Sequence, residues 1–276
     1  RKMQRYNDEK SGRLLILAEQ GIGDELTFSQ IYKNLINTKL DITIECDVRL
    51  ISIFERSFYA ENIKFIDRTS SKNSIDYDYY VHSGSLMGKY RSNLESFRAT
   101  NQGYLKVNKE IVKEVKKSLR VSKGKKIIGI SWKSILKRHL NKKNTLDLKL
   151  MLEKYRDEDV EFINLQYGEV DEDIDLACNE LGVVIHKVDS VDKKNDIESL
   201  MALMLCCDSI YTSPNVTVGL SGALGLKTDL LMPYGGPRWR WGTKGKNSYM
   251  FNSVRVHRQE YYDEDWRQVI ERSTRW

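Results

Sequence analysis

An acidic residue follows a pair of glycines near the start of the chain, in the stretch LLILAEQGIGDELTF at residues 14–28. The apolar run 14–18 has the character of a buried strand, and the residues after the glycines show helical spacing. Gly21 and Gly23 are therefore predicted at a strand-to-helix turn, where glycine lets another molecule approach the backbone. Asp24 in this turn is either a helix cap or first-turn acid, or a carboxylate that accepts a proton during a reaction.

A second glycine-rich turn is predicted in TSPNVTVGLSGALG, residues 212–225. Small polar residues end a strand there, and a helix rich in glycine and alanine begins near Val216. The free N–H groups of such a helix start, at the carboxyl edge of a sheet, can bind a phosphate. The residues predicted to form this site are Ser213, Asn215, Val216, Thr217 and Val218. The alternative is that the glycines only permit close helix packing.

A lysine is predicted at the same sheet edge. The strand in GISWKS, residues 129–134, ends at Lys133, which would supply a point charge for a diphosphate; a solvated surface lysine is the alternative. Basic residues are frequent between positions 123 and 143, and no acid interrupts them. Trp132 is the only aromatic residue of that run, so we read it as a solvated face and expect no nucleic-acid partner.

Two loops contain residues that could contact a ligand. PRWRWG, residues 237–242, places Trp239 and Trp241 in a glycine-flanked loop, which favours a ligand-covering or domain-bridging role, with packing against the last helix as the alternative. HSGSL, residues 82–86, follows a predicted strand, and its residues His82 and Ser85 could contact a substrate. A satisfied histidine at a strand end is the other interpretation of His82.

Several classes of protein are disfavoured by motif and composition. GIGD is not G-x-G-x-x-G and no GKS or GKT follows it, so neither a dinucleotide fingerprint nor a P-loop is supported. Four cysteines occur without a C-x-x-C pair, which argues against a disulfide framework or a zinc site and for a reduced, cytoplasmic protein. No apolar run reaches the roughly 18 residues that a membrane span needs. The net charge of +6 arises from 45 basic and 39 acidic residues mixed along the chain and indicates no particular partner.

The elements that must position these residues alternate between strand and helix. This alternation predicts an α/β protein with mostly parallel sheets, each covered on both faces. The rhythm restarts after the basic linker VSKGKK, which indicates two Rossmann-like halves. We predict an N-terminal domain at 1–110, a C-terminal domain at 124–255, and a terminal segment, 256–276, whose helix packs back on the N-terminal domain. The chain starts without methionine, and we expect it to be part of a longer polypeptide.

A series of motifs along residues 14–270 carries a family resemblance: EQGIGDELTF, DVRLISIFERSF, GSL, GYLKV, GISWKS, FINLQYG, CDSIYTSPNVTVGLSGALG, LLMPYGGPRWRWG, SVRVHRQ and DWRQVI. In this order and spacing they resemble the glycosyltransferase-like domain that follows tetratricopeptide repeats in many bacterial proteins. That domain is related to the ADP-heptose:lipopolysaccharide heptosyltransferases, in glycosyltransferase family 9. The resemblance implies a GT-B fold, in which two Rossmann-like domains face each other across a cleft.

The resemblance also implies a reaction: metal-independent, inverting transfer of a sugar from a nucleotide-activated donor to an acceptor hydroxyl. Asp24 matches the proposed general base, and Lys133 with the amides near Val216 to Val218 matches the diphosphate site. Gly21, Gly23, His82, Ser85, Trp239 and Trp241 would lie on the acceptor side or in the cleft. No cofactor or metal is expected. The expected partners are a nucleotide sugar, a glycan, lipid-linked or protein acceptor, and an upstream tetratricopeptide region, in the cytoplasm or at the inner face of the membrane.

Two segments of the chain depart from the family pattern. Gly219 stands where relatives carry a histidine in the nucleotide helix, and Tyr249, Met250 and Phe251 replace the usual W-Y-P. A lost histidine removes a possible donor to the diphosphate or the sugar. The alternative function is therefore a catalytically inactive GT-B module that binds a glycan or nucleotide, or serves as a scaffold beside the repeats.

Overall fold

A computed structural model describes residues 4–69, 75–98, 103–134, 145–236 and 238–273, with the side chains of Gln4, Arg98, Arg238 and Trp239 left out. The chain divides into two compact units, one formed by residues 1–100 and 104–106 and the other by residues 101–103 and 107–276. The part of the basic run between residues 135 and 143 lies outside the described residues.

The N-terminal unit is built on five parallel strands in the order β1-β5-β2-β3-β4. The strands are β1 (Gln4–Arg5), β2 (Ser11–Leu17), β3 (Lys39–Cys46), β4 (Ile63–Asp67) and β5 (Tyr79–His82). The helices are α1 (Ile22–Phe28), α2 (Ile51–Ser57), α3 (Ser83–Tyr90) and α4 (Leu94–Arg98), with 3₁₀ turns at Ser29–Leu35 and Val48–Leu50. On the helical side, Tyr32 packs edge-on against Phe54 and Phe58, with ring centroids 5.8 and 5.4 Å away.

The C-terminal unit is built on six parallel strands in the order β11-β10-β9-β6-β7-β8. The strands are β6 (Lys126–Ser131), β7 (Val160–Asn164), β8 (Ile185–His186), β9 (Ser209–Thr212), β10 (Thr228–Met232) and β11 (Val254–Arg258). The helices are α5 (Lys109–Ser118), α6 (Leu148–Leu152), α7 (Asp171–Leu181), α8 (Ile197–Met204), α9 (Val216–Leu224), α10 (Arg238–Trp241) and α11 (Trp266–Glu271), with a 3₁₀ turn at Glu153–Tyr155. The predicted α/β class with two parallel sheets is confirmed.

The last helix belongs to the C-terminal unit. Val269 and Ile270 of α11 are buried in the same apolar cluster as Leu152 of α6 and Phe162 of β7. The packing of the segment 256–276 on the N-terminal domain stays a prediction. The apolar face of α11 is buried against the second unit, of which β11 is an edge strand.

Two absences hold for the described ranges. No helix there is both long and apolar enough to cross a bilayer. No three His, Cys, Asp or Glu side chains converge there as a metal ion would require. The four cysteines are free thiols, and burial raises the pKa of Cys46 and Cys207.

A buried carboxylate holds the linker to the second sheet. Glu161 of β7 accepts a hydrogen bond from the Ser122 backbone N–H at 3.1 Å and is 2.7 Å from Nε2 of His186. Burial favours the protonated form, but the hydrogen bonds from Ser122 and His186 outweigh it and lower the pKa of Glu161 to about 2. The carboxylate is therefore ionised at neutral pH although only 3% of the residue is exposed.

Glu161→Gln is expected to lower the free energy of unfolding at pH 7 by up to about 3 kcal/mol. A folded pKa below the ordinary value of 4.5 stabilises the protein above pH 4.5, and this stabilisation is lost as the pH falls towards about 2. The difference between variant and wild type should thus shrink below pH 4.5. Urea unfolding at pH 7 and pH 3 measures it, with the exposed Glu61→Gln as control. An equal difference at both pH values would contradict the assignment.

Candidate functional site

Two adjacent strands bring the predicted residues of the N-terminal unit to one sheet edge. β2 and β5 pair in parallel, with Leu17 opposite His82, so residues 18–24 and 82–85 follow side by side. We call these two segments the first edge cluster. It contains the predicted residues Gly21, Gly23, Asp24, His82 and Ser85. Gly21, His82 and Ser85 are exposed, whereas Gly23 and Asp24 are partly buried.

Asp24 occupies the first turn of α1. Gly21 is the N-cap residue, its carbonyl accepts from the Asp24 N–H at 2.8 Å, and its own N–H lies 3.4 Å from Oδ2 of Asp24. The interpretation of Asp24 as a first-turn acid is therefore met by the geometry. Its role as a base stays a prediction.

The two glycines of this turn are not required by the fold around them. Gly21 has a φ of −113° and Gly23 lies within α1, so neither needs the left-handed conformation. A Cβ atom built on either residue meets no described heavy atom of the chain within 4 Å. The space beside the backbone is open on that side, as the prediction of an approaching ligand requires.

An ion pair between the buried Glu25 and the partly exposed Arg68, which the sequence analysis did not single out, anchors the turn. Glu25 is 2% exposed; its Oε1 accepts from Nη1 of Arg68 at 2.6 Å and its Oε2 from the N–H of Asp47 at 2.7 Å. Arg68 Nη1 also donates to the Gln20 carbonyl at 3.0 Å. Burial raises the pKa of Glu25, although the bonds from Asp47 and Arg68 oppose this shift. The ends of β2, β3 and β4 are thus tied together just below Asp24.

A second carboxylate in the first edge cluster was also missed. Glu19 accepts a hydrogen bond from the Gly84 N–H at 2.7 Å, and its other oxygen is 3.9 Å from Nδ1 of His82. A Cβ atom at Gly84 would lie 2.8 Å from this carboxylate, so the contact needs glycine there. His82 is half exposed, and the acid that it approaches within 4 Å is Glu19. The signal was present in the sequence as a glutamate directly before the glycine turn.

The residues predicted to bind phosphate lie where β9 and β6 end side by side. Asn215 is the N-cap of α9: its Oδ1 accepts from the Thr217 N–H at 2.9 Å, and its Nδ2 donates to Oγ of Ser131 at 2.8 Å. Ser131 donates in turn to Gln166 Oε1 at 2.9 Å, which also accepts from the Lys133 N–H at 3.1 Å. We call Ser131, Lys133, Gln166 and residues 213–218 the second edge cluster. Ser131 and Gln166 fix the start of α9 and were not predicted.

Burial limits which atoms of this cluster can reach a ligand. Ser213, Thr217 and Val218 are at most 2% exposed, whereas Asn215 and Val216 are partly exposed. The side chains of Ser213, Thr217 and Val218 are therefore buried, and the binding of a donor phosphate by these residues stays a prediction. The backbone N–H groups at the start of α9 can contact a phosphate without these side chains.

The ammonium group of Lys133 is held by α7. Its Nζ lies 2.8 Å from Oδ2 of Asp173 and donates to the Glu169 carbonyl at 3.1 Å, while Trp132 Nε1 donates to the same carboxylate at 3.0 Å. Burial favours protonated Asp173, but the hydrogen bonds from Lys133 and Trp132 outweigh it and lower the pKa of this carboxyl group. The charge predicted for a diphosphate is thus compensated within the chain.

The segment that contains Trp239 and Trp241, which we call the tryptophan loop, contributes in part to packing. Trp241 is 3% exposed, and the centroid of its ring lies 6.0 Å from that of Phe251. The Phe251 ring in turn packs on Gly222 of α9, where an added Cβ atom would lie 2.4 Å from the ring. Arg258 donates to the carbonyls of Trp241, Gly242 and Gly245 at 3.1 Å each. The indole is buried, as the packing alternative expects, and the assignment of Trp241 to the acceptor side or the cleft stays a prediction. The Trp239 side chain lies outside the described residues.

Comparison with known proteins agrees with this architecture. No protein-family profile matches the chain. The protein FlbA of Caulobacter vibrioides is 28% identical over 253 residues, covering 86% of this chain and 42% of FlbA, so the chain spans less than half of that curated relative.

Three solved structures are similar to this one in fold. A family 9 glycosyltransferase from Veillonella parvula has a TM-score of 0.59 at 11% identity, covering 91% of this chain and 87% of that chain. ADP-heptose LPS heptosyltransferase II of E. coli has a TM-score of 0.57 at 11% identity, covering 88% and 89%. The iron-containing dodecameric glycosyltransferase TibC of enterotoxigenic E. coli has a TM-score of 0.56 at 10% identity, covering 85% and 62%. The fold is that of GT-B glycosyltransferases.

Arg68→Met is expected to lower the free energy of unfolding at pH 8 by about 2–3 kcal/mol, because it leaves the Glu25 carboxylate buried without its cation. The loss should become smaller as the pH falls towards 4.5. Arg68 opposes the burial that raises the pKa of Glu25, so removing Arg68 should raise this pKa further. Glu25 in the variant is then protonated more readily as the pH falls, and a neutral carboxyl group costs less to bury than a carboxylate.

Denaturant unfolding between pH 5 and pH 8 measures this dependence. The double variant Glu25→Gln with Arg68→Met should recover part of the stability at pH 8, since no charge remains buried. A pH-independent loss, or no recovery in the double variant, would show that the ion pair does not anchor the turn.

Proposed function

We propose that this chain is a glycosyltransferase that moves a sugar from a nucleotide-activated donor to an acceptor hydroxyl, with inversion at the anomeric carbon. Asp24 accepts the proton of the hydroxyl as that oxygen attacks the anomeric carbon. The bond from this carbon to the diphosphate breaks, and the nucleoside diphosphate leaves with the electron pair. Attack from the face opposite the leaving group inverts the configuration.

The observation that carries this proposal is the position of Asp24. Its partly buried carboxylate lies at the carboxyl edge of a parallel sheet, beside two glycines whose open side no described atom fills. Ligands bind at this edge in open α/β sheets. The fold similarity to family 9 glycosyltransferases supports the reaction class. A nucleotide sugar is the proposed donor, since one of these neighbours is named for ADP-heptose.

The donor diphosphate is proposed to bind at the start of α9, with Asn215 fixing the first turn and Lys133 supplying charge. We propose that no metal takes part in the transfer, and that positive charge from the protein balances the leaving diphosphate. The acceptor is proposed to be a glycan, a lipid-linked glycan or a protein, and the proposal includes an upstream tetratricopeptide region and a cytoplasmic location.

A specific observation favours the second candidate, a catalytically inactive module that binds glycans or nucleotides or acts as a scaffold. Lys133 is engaged by Asp173, and the side chains of Ser213 and Thr217 are buried. Gly219 lacks the histidine of the related pattern. A site with these features would bind a diphosphate through backbone amides alone, and a module can retain the fold while losing turnover.

Lys133→Ala is expected to weaken the binding of one nucleoside diphosphate about 10-fold or more, because a charge-assisted hydrogen bond to phosphate contributes about 1.5–3 kcal/mol. Calorimetric titration with ADP, UDP, GDP and CMP, in the presence of a chelator, measures the affinity. Lys149→Ala is the matched control, since Lys149 forms a similar pair with Glu180 on the outer surface. If no nucleotide binds at millimolar concentration, the inactive module becomes the better assignment.

Asp24→Asn is expected to lower kcat by about 10²–10⁴-fold while nucleotide affinity stays unchanged, because the amide cannot accept the proton of the attacking hydroxyl. Release of nucleoside diphosphate from the donor selected by calorimetry, in the presence of candidate acceptors, measures turnover. Asp41→Asn, at an exposed position of β3, is the control. Wild-type turnover that survives in Asp24→Asn would remove Asp24 as the base and leave the transferase assignment standing.

A further inference from the structure

We propose that Gln20 is a positioning residue that orients the Asp24 carboxylate for proton transfer. This inference rests on the proposed function, since it concerns the residue proposed there as the base. Two features of Gln20 carry it: a backbone conformation that a glutamine rarely adopts, and a side-chain amide directed at Asp24.

The backbone of Gln20 lies in the left-handed region, with a φ of +58°. This conformation costs a residue with a Cβ atom roughly 1 kcal/mol and costs glycine nothing. The next residue in the chain is Gly21, yet its φ is −113°. The position that would suit glycine best in the sequence QGIGD thus holds a long polar side chain, which indicates that the side chain itself is needed.

The amide of Gln20 faces the carboxylate of Asp24. With the amide nitrogen turned towards that group, it donates to Oδ1 and to Oδ2, each at 3.3 Å. The Gly21 N–H approaches Oδ2 from the backbone at 3.4 Å. Donors contacting both oxygens favour a single rotamer of the Asp24 side chain, and residues 20 and 21 contribute to this orientation.

The strained backbone is held by a contact from another strand. Arg68, which follows β4, donates to the Gln20 carbonyl at 3.0 Å and is itself fixed by the buried Glu25 at 2.6 Å. Strain of this kind persists only where the surroundings over-determine the conformation. These contacts form a series. Buried Glu25 binds Arg68, Arg68 binds the Gln20 carbonyl, and the Gln20 side chain contacts Asp24.

Gln20→Gly separates positioning from stability. Glycine adopts the same φ without strain, so thermal stability should stay equal or rise, whereas loss of the amide should lower kcat about 10-fold or more with little change in the acceptor KM. Asp263→Gly is the matched control, because Asp263 has the same φ of +58° in the other unit. It should match the effect on stability and leave kcat unchanged. Gln20→Asn keeps a shorter amide and should recover part of the lost kcat.

A measurement without turnover tests the same contact. Three-bond couplings of the Asp24 Hβ protons report its χ1 rotamer by NMR, and we expect one rotamer in wild type and averaging in Gln20→Gly. If the wild type transfers no sugar, the proposed function fails, while the couplings still decide whether Gln20 orients Asp24. An Asp24 side chain that keeps a single rotamer in Gln20→Gly would overturn the proposal, as would an unchanged kcat in an active enzyme.

Discussion

The buried carboxylate of Glu25 is the constraint on which the N-terminal unit depends at its functional edge. It binds the guanidinium of Arg68 and the N–H of Asp47, and so joins α1 to the residues that follow β3 and β4. A carboxylate that is 2% exposed must keep both partners, because losing either would leave a charge or a polar group unsatisfied. The position of the turn before α1 is therefore set by the hydrogen bonds of Glu25 and Arg68.

The C-terminal unit fixes its edge in a different way, through neutral hydrogen bonds. Asn215, Ser131 and Gln166 link the ends of β9, β6 and β7 in one continuous network. Such a network orients the first turn of α9 without placing a charge in the sheet edge. The positive charge that a diphosphate would need lies beside the network, on Lys133, which is paired with Asp173. Binding an anion there would require Lys133 to exchange one acid for another, so affinity depends on how tightly Asp173 holds it.

Trp241 is buried and helps to fix the tryptophan loop against the rest of the C-terminal unit. Arg258 gathers three carbonyls of the loop, and Phe251 connects Trp241 to Gly222 of α9. The loop is thereby linked to the helix that carries the proposed phosphate site. This linkage gives Phe251 a packing role that depends on Gly222, the glycine opposite its ring.

Sequence alone determined what is local: the alternation of strand and helix, the two halves, a first-turn position for Asp24 as one of its two readings, and the start of α9 near Val216. These follow from side-chain periodicity and from hydrogen bonds between residues a few positions apart. Only the tertiary structure decided which distant groups meet, such as Glu25 with Arg68, Glu19 with Gly84 and Lys133 with Asp173. It also decided that Trp241 is buried and that Gln20, beside two glycines, takes the left-handed conformation. Such partners depend on strand order and on packing between elements, which no spacing within a single segment encodes.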